Sequence, residues 1–252
     1  CRPVFAAVHS ATVLAYEIKD QLGEFGILPE KIISITTDQG GAAPKIAVEF
    51  GGPIEIHCCS HLLNTALSNA FDHLISENSE LQTVLSACRS MASSTNHSAL
   101  LRESLTAHQL VTDGPVKTLK QKVVTRWNSL LHNIRSILDS KQALISLCAA
   151  QPHLKFAGVI LRHGPFFWAL LGDLCYILDL FEQATLKFSP QSEITADRVV
   201  PVYLGLKLSL SPSKVLEKLP PPQNAVEQHA RDIALNCAAC VKEWLEQKFL
   251  PM

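Results

Sequence analysis

The segment that decides the fold runs from Lys31 to Asp38 and reads KIISITTD. It is rich in β-branched residues and ends just before two glycines, so we predict a buried strand followed by a loop. A second run of this kind, IEIHC, extends from Ile54 to Cys58. Two strands separated by a short helical segment predict an α/β layer.

The residues before the first strand predict a helix. Ser10 is a suitable N-cap, and Leu14, Ile18 and Leu22 follow it at helical spacing. Within the second strand Glu55 alternates with two isoleucines. We therefore expect Glu55 to point away from the packed face.

After His61 the pattern becomes helical, and we expect no sheet beyond that point. The predicted helices include 62–71, 79–91, 126–148, 166–181 and 224–250, with a polar break at 93–97 and a connector at 190–201. The fold class is thus predicted to be α/β followed by all-α, and the lack of a repeat of fixed period excludes a solenoid.

Composition indicates a folded chain without a global signature of nucleic-acid binding. The chain has 252 residues, of which 47% are hydrophobic and 18% charged, and its net charge is −1. Its eight cysteines are irregularly spaced, so we read them as reduced thiols. The apolar run 166–181 contains acids and is too short to span a bilayer, so no membrane association is expected.

The charge is nevertheless uneven along the chain. Between residues 116 and 155 a single acid, Asp139, stands among seven bases: Lys117, Lys120, Lys122, Arg126, Arg135, Lys141 and Lys155. A local excess of this kind can follow a phosphate backbone. The alternative is an ordinary solvated helix face.

Asp38 is a candidate metal ligand because it ends a strand and precedes a glycine-rich loop. Such a position aims a carboxylate at a sheet edge, where ligands bind, and hard oxygen ligands suit Mg²⁺. The alternative is a turn aspartate that caps the following segment. Cys58 and His61 follow the second strand, so His61 would emerge near the same sheet edge as Asp38, and these two side chains could share one site.

Two further cysteine and aromatic motifs have ordinary explanations. No second Cys/His pair with zinc-ligand spacing follows His61, and Cys237 and Cys240 are better explained by packing within a helix. Arg126 and Trp127 lie together in the basic stretch, where they can hold a phosphate and stack a base. Taken alone, Trp127 is more often a core residue.

Taken in order, these pieces resemble the hAT transposase superfamily and the BED-zinc-finger-linked host proteins derived from it. The motifs are IISITTDQGGAA (residues 32–43), CCSHLLN (58–64), TRWNS (125–129) and LDLFEQAT (178–185). The resemblance implies a partial ribonuclease-H-like core over residues 1–61 and a helical insertion domain over 62–252, the first strand being missing and the insertion domain incomplete at its C-terminus.

The resemblance also implies roles for individual residues. Asp38 corresponds to the second carboxylate of an Asp-Asp-Glu magnesium site, and Cys58 with His61 to the active-site Cys-x-x-His. Arg126 and Trp127 correspond to a pair that holds a distorted DNA end, and Lys117, Lys120 and Lys122 are expected to bind DNA beside it. The implied chemistry is DNA cleavage and strand transfer by two Mg²⁺ ions.

The sequence departs from this pattern in ways that leave catalysis open. No counterpart of the first Asp or of the Glu is found, and Gln39 with two glycines replaces the usual residues after Asp38. One hypothesis is therefore an inactive fragment of a transposase, and another is a domesticated, catalytically silent nuclear DNA-binding or chromatin protein. A third, unrelated hypothesis is a nucleotide-binding domain, although the glycines match no phosphate-binding motif. Homo-oligomers are expected to form through a segment outside this chain.

Overall fold

The computed structural model describes residues 10–38, 43–51, 54–121, 128–189 and 196–249. The chain divides into two compact units, Cys1–Leu62 and Leu63–Met252. Of the residues predicted to bind DNA, Lys122, Arg126 and Trp127 lie outside the described ranges.

The first unit contains a parallel pair of strands, β1 (Ser34–Thr37) and β2 (Ile54–His57), with helices α1 (Ala11–Glu24) and α2 (Ala43–Glu49). Ser34 pairs with Ile54 and Thr37 with His57, so both strands end in register. The predicted helix, strand, helix, strand order is confirmed for the described residues of this unit.

Local sequence explains where the elements of the first unit begin and end. The Ser10 side chain accepts a hydrogen bond from the Val13 amide (3.3 Å), which caps α1 as predicted. Gly26, with a φ of 68°, follows the end of that helix, a conformation that L side chains avoid. The apolar faces of α1 and α2 meet in a small core around Ala15, Ile46 and Phe50, against which Ile35 of β1 packs.

Two expectations about the strands are wrong. The first strand is covered on one side only, and the neighbouring Ile33 is 80% exposed. Glu55 lies on the covered side, where the Thr37 hydroxyl donates to its Oε1 (2.9 Å), while Ile54 and Ile56 are exposed. The hydrogen bond from Thr37 satisfies this oxygen of the Glu55 carboxylate on the covered side.

The described residues of the second unit form helices and turns without a strand, as predicted. Helix α3 (Cys59–Glu77) begins in the first unit and continues into the second. The remaining helices are α4 (Ser79–His97), α5 (Ala99–Thr112), α6 (Asn128–Asp139), α7 (Lys141–Ala150), α8 (Ala157–Phe188), α9 (Val199–Ser209), α10 (Pro212–Lys218) and α11 (Ala225–Phe249).

Helix α8 is the centre of the second unit and contacts α4, α6, α7, α9 and α11. It kinks at His163, two residues before Pro165. By length and composition α8 could cross a membrane, but 56% of its apolar window is buried inside the protein. The helix is therefore explained as the core helix of this unit, in agreement with the prediction from its charged residues.

Several helix boundaries differ from the prediction. The polar run 93–97 is not a break, because α4 continues to His97 and the Thr95 hydroxyl donates to the Met91 carbonyl (2.9 Å) within the helix. The pattern 126–148 is not one helix, because the chain leaves helical geometry at Ser140 between α6 and α7. Helices α5, α9 and α10 were not predicted.

The predictions for the cysteines agree with the structure. The seven cysteines in the described ranges are free thiols. Cys237 is completely buried in α11, and burial raises its pKa to about 12. Core packing, as expected, accounts for this residue.

Candidate nucleic-acid interface

The basic residues Lys117 and Lys120 lie on an extended segment that follows α5. Leu119 between them is buried, at 2% exposure, while Lys117 and Lys120 are exposed. The segment contains no regular secondary structure, so other groups must satisfy its backbone. Those groups are polar side chains of the surrounding helices.

Gln109 of α5 holds the beginning of the segment. Its Nε2 donates to the Lys117 carbonyl (2.9 Å) and to the Ser140 hydroxyl (2.8 Å), and its Oε1 accepts from the Lys117 amide (3.3 Å). The side chain is 1% exposed. Gln109 is buried and satisfies both backbone groups of Lys117. It thereby fixes the position from which the Lys117 side chain projects into solvent.

Two residues of α6 and one of α4 hold the end of the segment. The Ser136 hydroxyl accepts from the Lys120 amide (2.9 Å), and Asn133 Nδ2 donates to the Lys120 carbonyl (2.6 Å). Asn96 Nδ2 donates to the Leu119 carbonyl (3.3 Å). The positions of both lysines are therefore set by helices and not by a flexible loop.

A cavity of about 500 Å³ adjoins the segment and is open to solvent. Its lining combines cations, hydroxyls and one acid: Lys117, Thr118, Lys120, His132, Arg135, Ser136 and Asp139. The cavity is wide enough for a phosphodiester group, and cations with hydroxyl donors are the groups that contact DNA phosphates.

The positive charge at this surface is smaller than the sequence count indicates. Lys117 Nζ lies 2.9 Å from Asp139 Oδ2, and Arg135 pairs with Asp179 and Glu182 of α8. Those last two acids are distant in sequence from the basic stretch, so a count along the chain misses them. Their spacing of three on an otherwise apolar helix was the available signal.

Glu182 is held by two partners on α6. Its carboxylate also lies 3.0 Å from His132 Nε2. Burial by itself raises the pKa of Glu182, but the hydrogen bonds from Arg135 and His132 outweigh burial and keep this pKa below its usual value. Glu182, Arg135 and His132 thus form a charge cluster that joins α6 to α8, and the role of this cluster is mainly structural.

The other described bases differ in their surroundings. Lys141 Nζ lies 5.5 Å from the centre of the Trp168 ring, a cation–π contact. Lys120 and Lys155 have no carboxylate partner among the described residues. Lys120 is thus the cation of the cavity whose charge is uncompensated within the described ranges.

The second candidate site lies where β1 and β2 end. Asp38 follows Thr37, and Cys58 follows the paired His57, its amide donating to the Thr37 carbonyl (2.8 Å). Both residues therefore leave the sheet at the same edge. His61 is the third residue of α3 and is partly buried, while Asp38 is exposed.

Chemistry at this edge is limited among the described residues. Within the part of the chain that the structure describes, no three histidine, cysteine or acidic side chains lie close enough to hold one metal ion. Burial raises the pKa of the Cys59 thiol, and the neighbouring Cys58 adds to this effect. Cys59 is therefore a poor nucleophile. A shared cleft for Asp38 and His61 stays a prediction.

Comparison with known proteins identifies two relatives, while no family model matches the chain. The chain is 27% identical over 202 residues to the human zinc finger BED domain-containing protein 6, a match that covers 79% of this chain. It is 29% identical over 148 residues, 58% of the chain, to the transposable element Hobo transposase of Drosophila melanogaster.

These matches confirm the resemblance drawn from the motifs. The chain is homologous, at low identity, to a transposase and to a BED zinc finger protein, which supports a relationship to hAT transposases or to their domesticated relatives. The matched regions are 19% and 20% of the lengths of these two relatives, so the chain corresponds to about a fifth of each.

Proposed function

We propose that this chain binds DNA through its phosphate backbone, at the surface formed by the segment 117–120 and α6. The observation that carries the proposal is the fixed display of Lys117 and Lys120 beside the open cavity. Buried side chains hold the backbone of both lysines, so their charges approach a ligand without the cost of ordering a loop.

The relatives support the same class of ligand. One is named as a transposase and the other as a zinc finger protein, and both names are consistent with a nuclear protein that acts on DNA. The net charge of −1 argues against a purely non-specific, globally basic binder. Binding confined to one small surface is expected to be weak and sensitive to salt.

The experiment is a titration of fluorescently labelled duplex DNA with the purified chain, followed by anisotropy at several salt concentrations. We expect Lys120→Ala to weaken binding to all duplexes alike and to lower the salt slope by about one unit, since one phosphate contact is lost. Lys214→Ala, an exposed lysine on α10, is the matched control and should leave affinity unchanged. Equal binding by the two variants would contradict the proposal.

A second proposal concerns the first unit, which we infer to be part of a ribonuclease-H-like core. Support comes from the parallel strands and from the position of Asp38 and Cys58 at one sheet edge, where open α/β folds bind ligands. The described residues do not form a two-magnesium centre by themselves, because no three histidine, cysteine or acidic side chains among them come together to hold a metal ion. No catalytic step is derived for this edge.

The function that follows is DNA binding by a transposase-derived protein, with cleavage as an ancestral activity. The alternative is a domesticated nuclear or chromatin protein that binds DNA without cleaving it. The sequence of the full reading frame would distinguish the transposase from the domesticated protein, since an active transposase requires a further Asp and a Glu.

A further inference from the structure

We infer that Asp139 is a built-in competitor of DNA, occupying on Lys117 the position that a phosphate takes when DNA binds. This inference rests on the proposed function of the same surface. Asp139 Oδ2 lies 2.9 Å from Lys117 Nζ, and both residues line the cavity beside the segment 117–120. The carboxylate thereby neutralises one of the two lysines that the segment displays.

The ion pair between Lys117 and Asp139 is weak enough for another anion to replace Asp139. Its two side chains are 48% and 51% exposed, and they share a single contact. Exposed ion pairs contribute little to stability, because water and salt compete for both charges. A phosphate oxygen can therefore replace Asp139 on Lys117 without disturbing the packing of the unit.

Helix stability does not explain an acid at this position. Asp139 is the last residue of α6, where the helix dipole is negative and an acidic side chain is unfavourable. The contact with Lys117 offsets that cost in the absence of DNA. Replacing Asp139 by asparagine is accordingly compatible with folding.

The ion pairs of Arg135 differ in each of these respects. Arg135 contacts two carboxylates, and Glu182, whose side chain is 17% exposed, is also held by His132. A phosphate would have to displace both of these acids from Arg135. Exchange is therefore confined to Lys117, and Arg135 remains bound to α8 in the complex.

The test is a double-mutant cycle on Lys117 and Asp139, measured by anisotropy with a labelled duplex. We expect Asp139→Asn to tighten binding about fivefold, because a phosphate then no longer has to displace a carboxylate from Lys117. Lys117→Ala alone should weaken binding, but less than Lys120→Ala does, because the phosphate contact that it removes is already opposed by Asp139. In the Lys117→Ala background, Asp139→Asn should bring no gain.

Glu217→Gln is the matched control, because Glu217 forms a comparable exposed pair with Lys214 (2.6 Å) on α10. It should leave affinity and salt slope unchanged. A gain from Asp139→Asn that persists without Lys117 would reflect general electrostatics and overturn the inference. If the wild type binds DNA and Asp139→Asn binds it with the same affinity, the competition by Asp139 is overturned but the proposed function is not. Failure of both proteins to bind would overturn the proposed function as well.

Discussion

Arg231 of α11 donates to both carboxylate oxygens of Asp173 on α8, at 2.6 and 3.2 Å, and the two side chains are 5% and 8% exposed. Arg231 also donates to the carbonyl of Pro220 (2.9 Å). Burial raises the pKa of Asp173, and the hydrogen bonds from Arg231 oppose that rise. The pair joins α8 and α11, the two longest helices of the second unit.

We expect Asp173→Ala to lower the free energy of unfolding by about 3–5 kcal/mol, because it leaves the Arg231 charge buried without a partner. The double variant Asp173→Leu with Arg231→Met should recover most of that loss, since well-packed apolar residues can replace a buried pair. Urea denaturation of the three proteins checks this. A cost below about 1 kcal/mol for Asp173→Ala would show that the pair is not needed.

The charge cluster around Glu182 predicts a dependence of stability on pH. Since the pKa of Glu182 is lowered in the folded protein, its contribution is complete above the ordinary glutamate pKa of about 4.3 and is lost as pH falls through the lowered value. Glu182→Gln should cost about 1–2 kcal/mol at pH 7, and the difference from wild type should shrink toward pH 3. Urea denaturation across this range is the measurement, and a difference independent of pH would contradict the prediction.

Gln109 is predicted to act as a positioning residue for Lys117. Gln109→Ala leaves the backbone groups of Lys117 and the Ser140 hydroxyl without this partner, so we expect a loss of about 1–3 kcal/mol in unfolding free energy. Well below the melting temperature, DNA binding should also weaken, and exchange of the Lys117 amide hydrogen should accelerate. Gln228→Ala, at an exposed glutamine of α11, should change none of these quantities. Normal amide exchange in Gln109→Ala would contradict the assignment.

Trp127 lies outside the described residues, and the sequence supports two roles for it. If its ring stacks on a base, Trp127→Ala should weaken DNA binding by about 1–3 kcal/mol while the protein stays folded. Trp127→Phe should retain most of the affinity. Circular dichroism and anisotropy on the same samples separate the roles, because unfolding of Trp127→Ala would make Trp127 a core residue.

This chain is predicted to lack nuclease and strand-transfer activity. Two-metal chemistry requires carboxylates on both ions, and the sequence offers Asp38 with His61, a softer ligand than Mg²⁺ prefers. Incubation with nicked and blunt DNA in Mg²⁺ and in Mn²⁺ should give no cleavage above background. Cleavage that disappears in Asp38→Asn would show a complete site within the chain.

The spacing of apolar residues was sufficient to predict those helices and strands whose pattern lies within one short stretch of sequence. The spacing of Leu14, Ile18 and Leu22 located α1, and the β-branched run located β1. Boundaries that depend on side-chain hydrogen bonds were missed, because Thr95 satisfies its hydroxyl within α4 and therefore does not end it. Glu55 was misplaced for the same reason, since its partner Thr37 lies on another strand.

The basic stretch was visible in the sequence, but its effective charge was not. Neutralisation of Arg135 depends on Asp179 and Glu182, which only folding brings beside α6. Gln109 and Asn133 carried no signal at all, because an isolated amide side chain in a helix looks like a solvated one. Burial and partners, which sequence spacing does not encode, turn these residues into supports for the lysines.

The contacts of the segment 117–120 separate stability from the proposed DNA affinity, two properties that usually constrain each other in evolution. Gln109, Asn133 and Ser136 contact the backbone of the segment, whereas the proposed DNA binding depends on the side chains of Lys117 and Lys120. Substitutions at the two lysines can therefore strengthen, weaken or abolish binding with little penalty in stability. A relative of a transposase would in this way lose or regain the proposed DNA binding by single substitutions, while the helices that hold the segment stay intact.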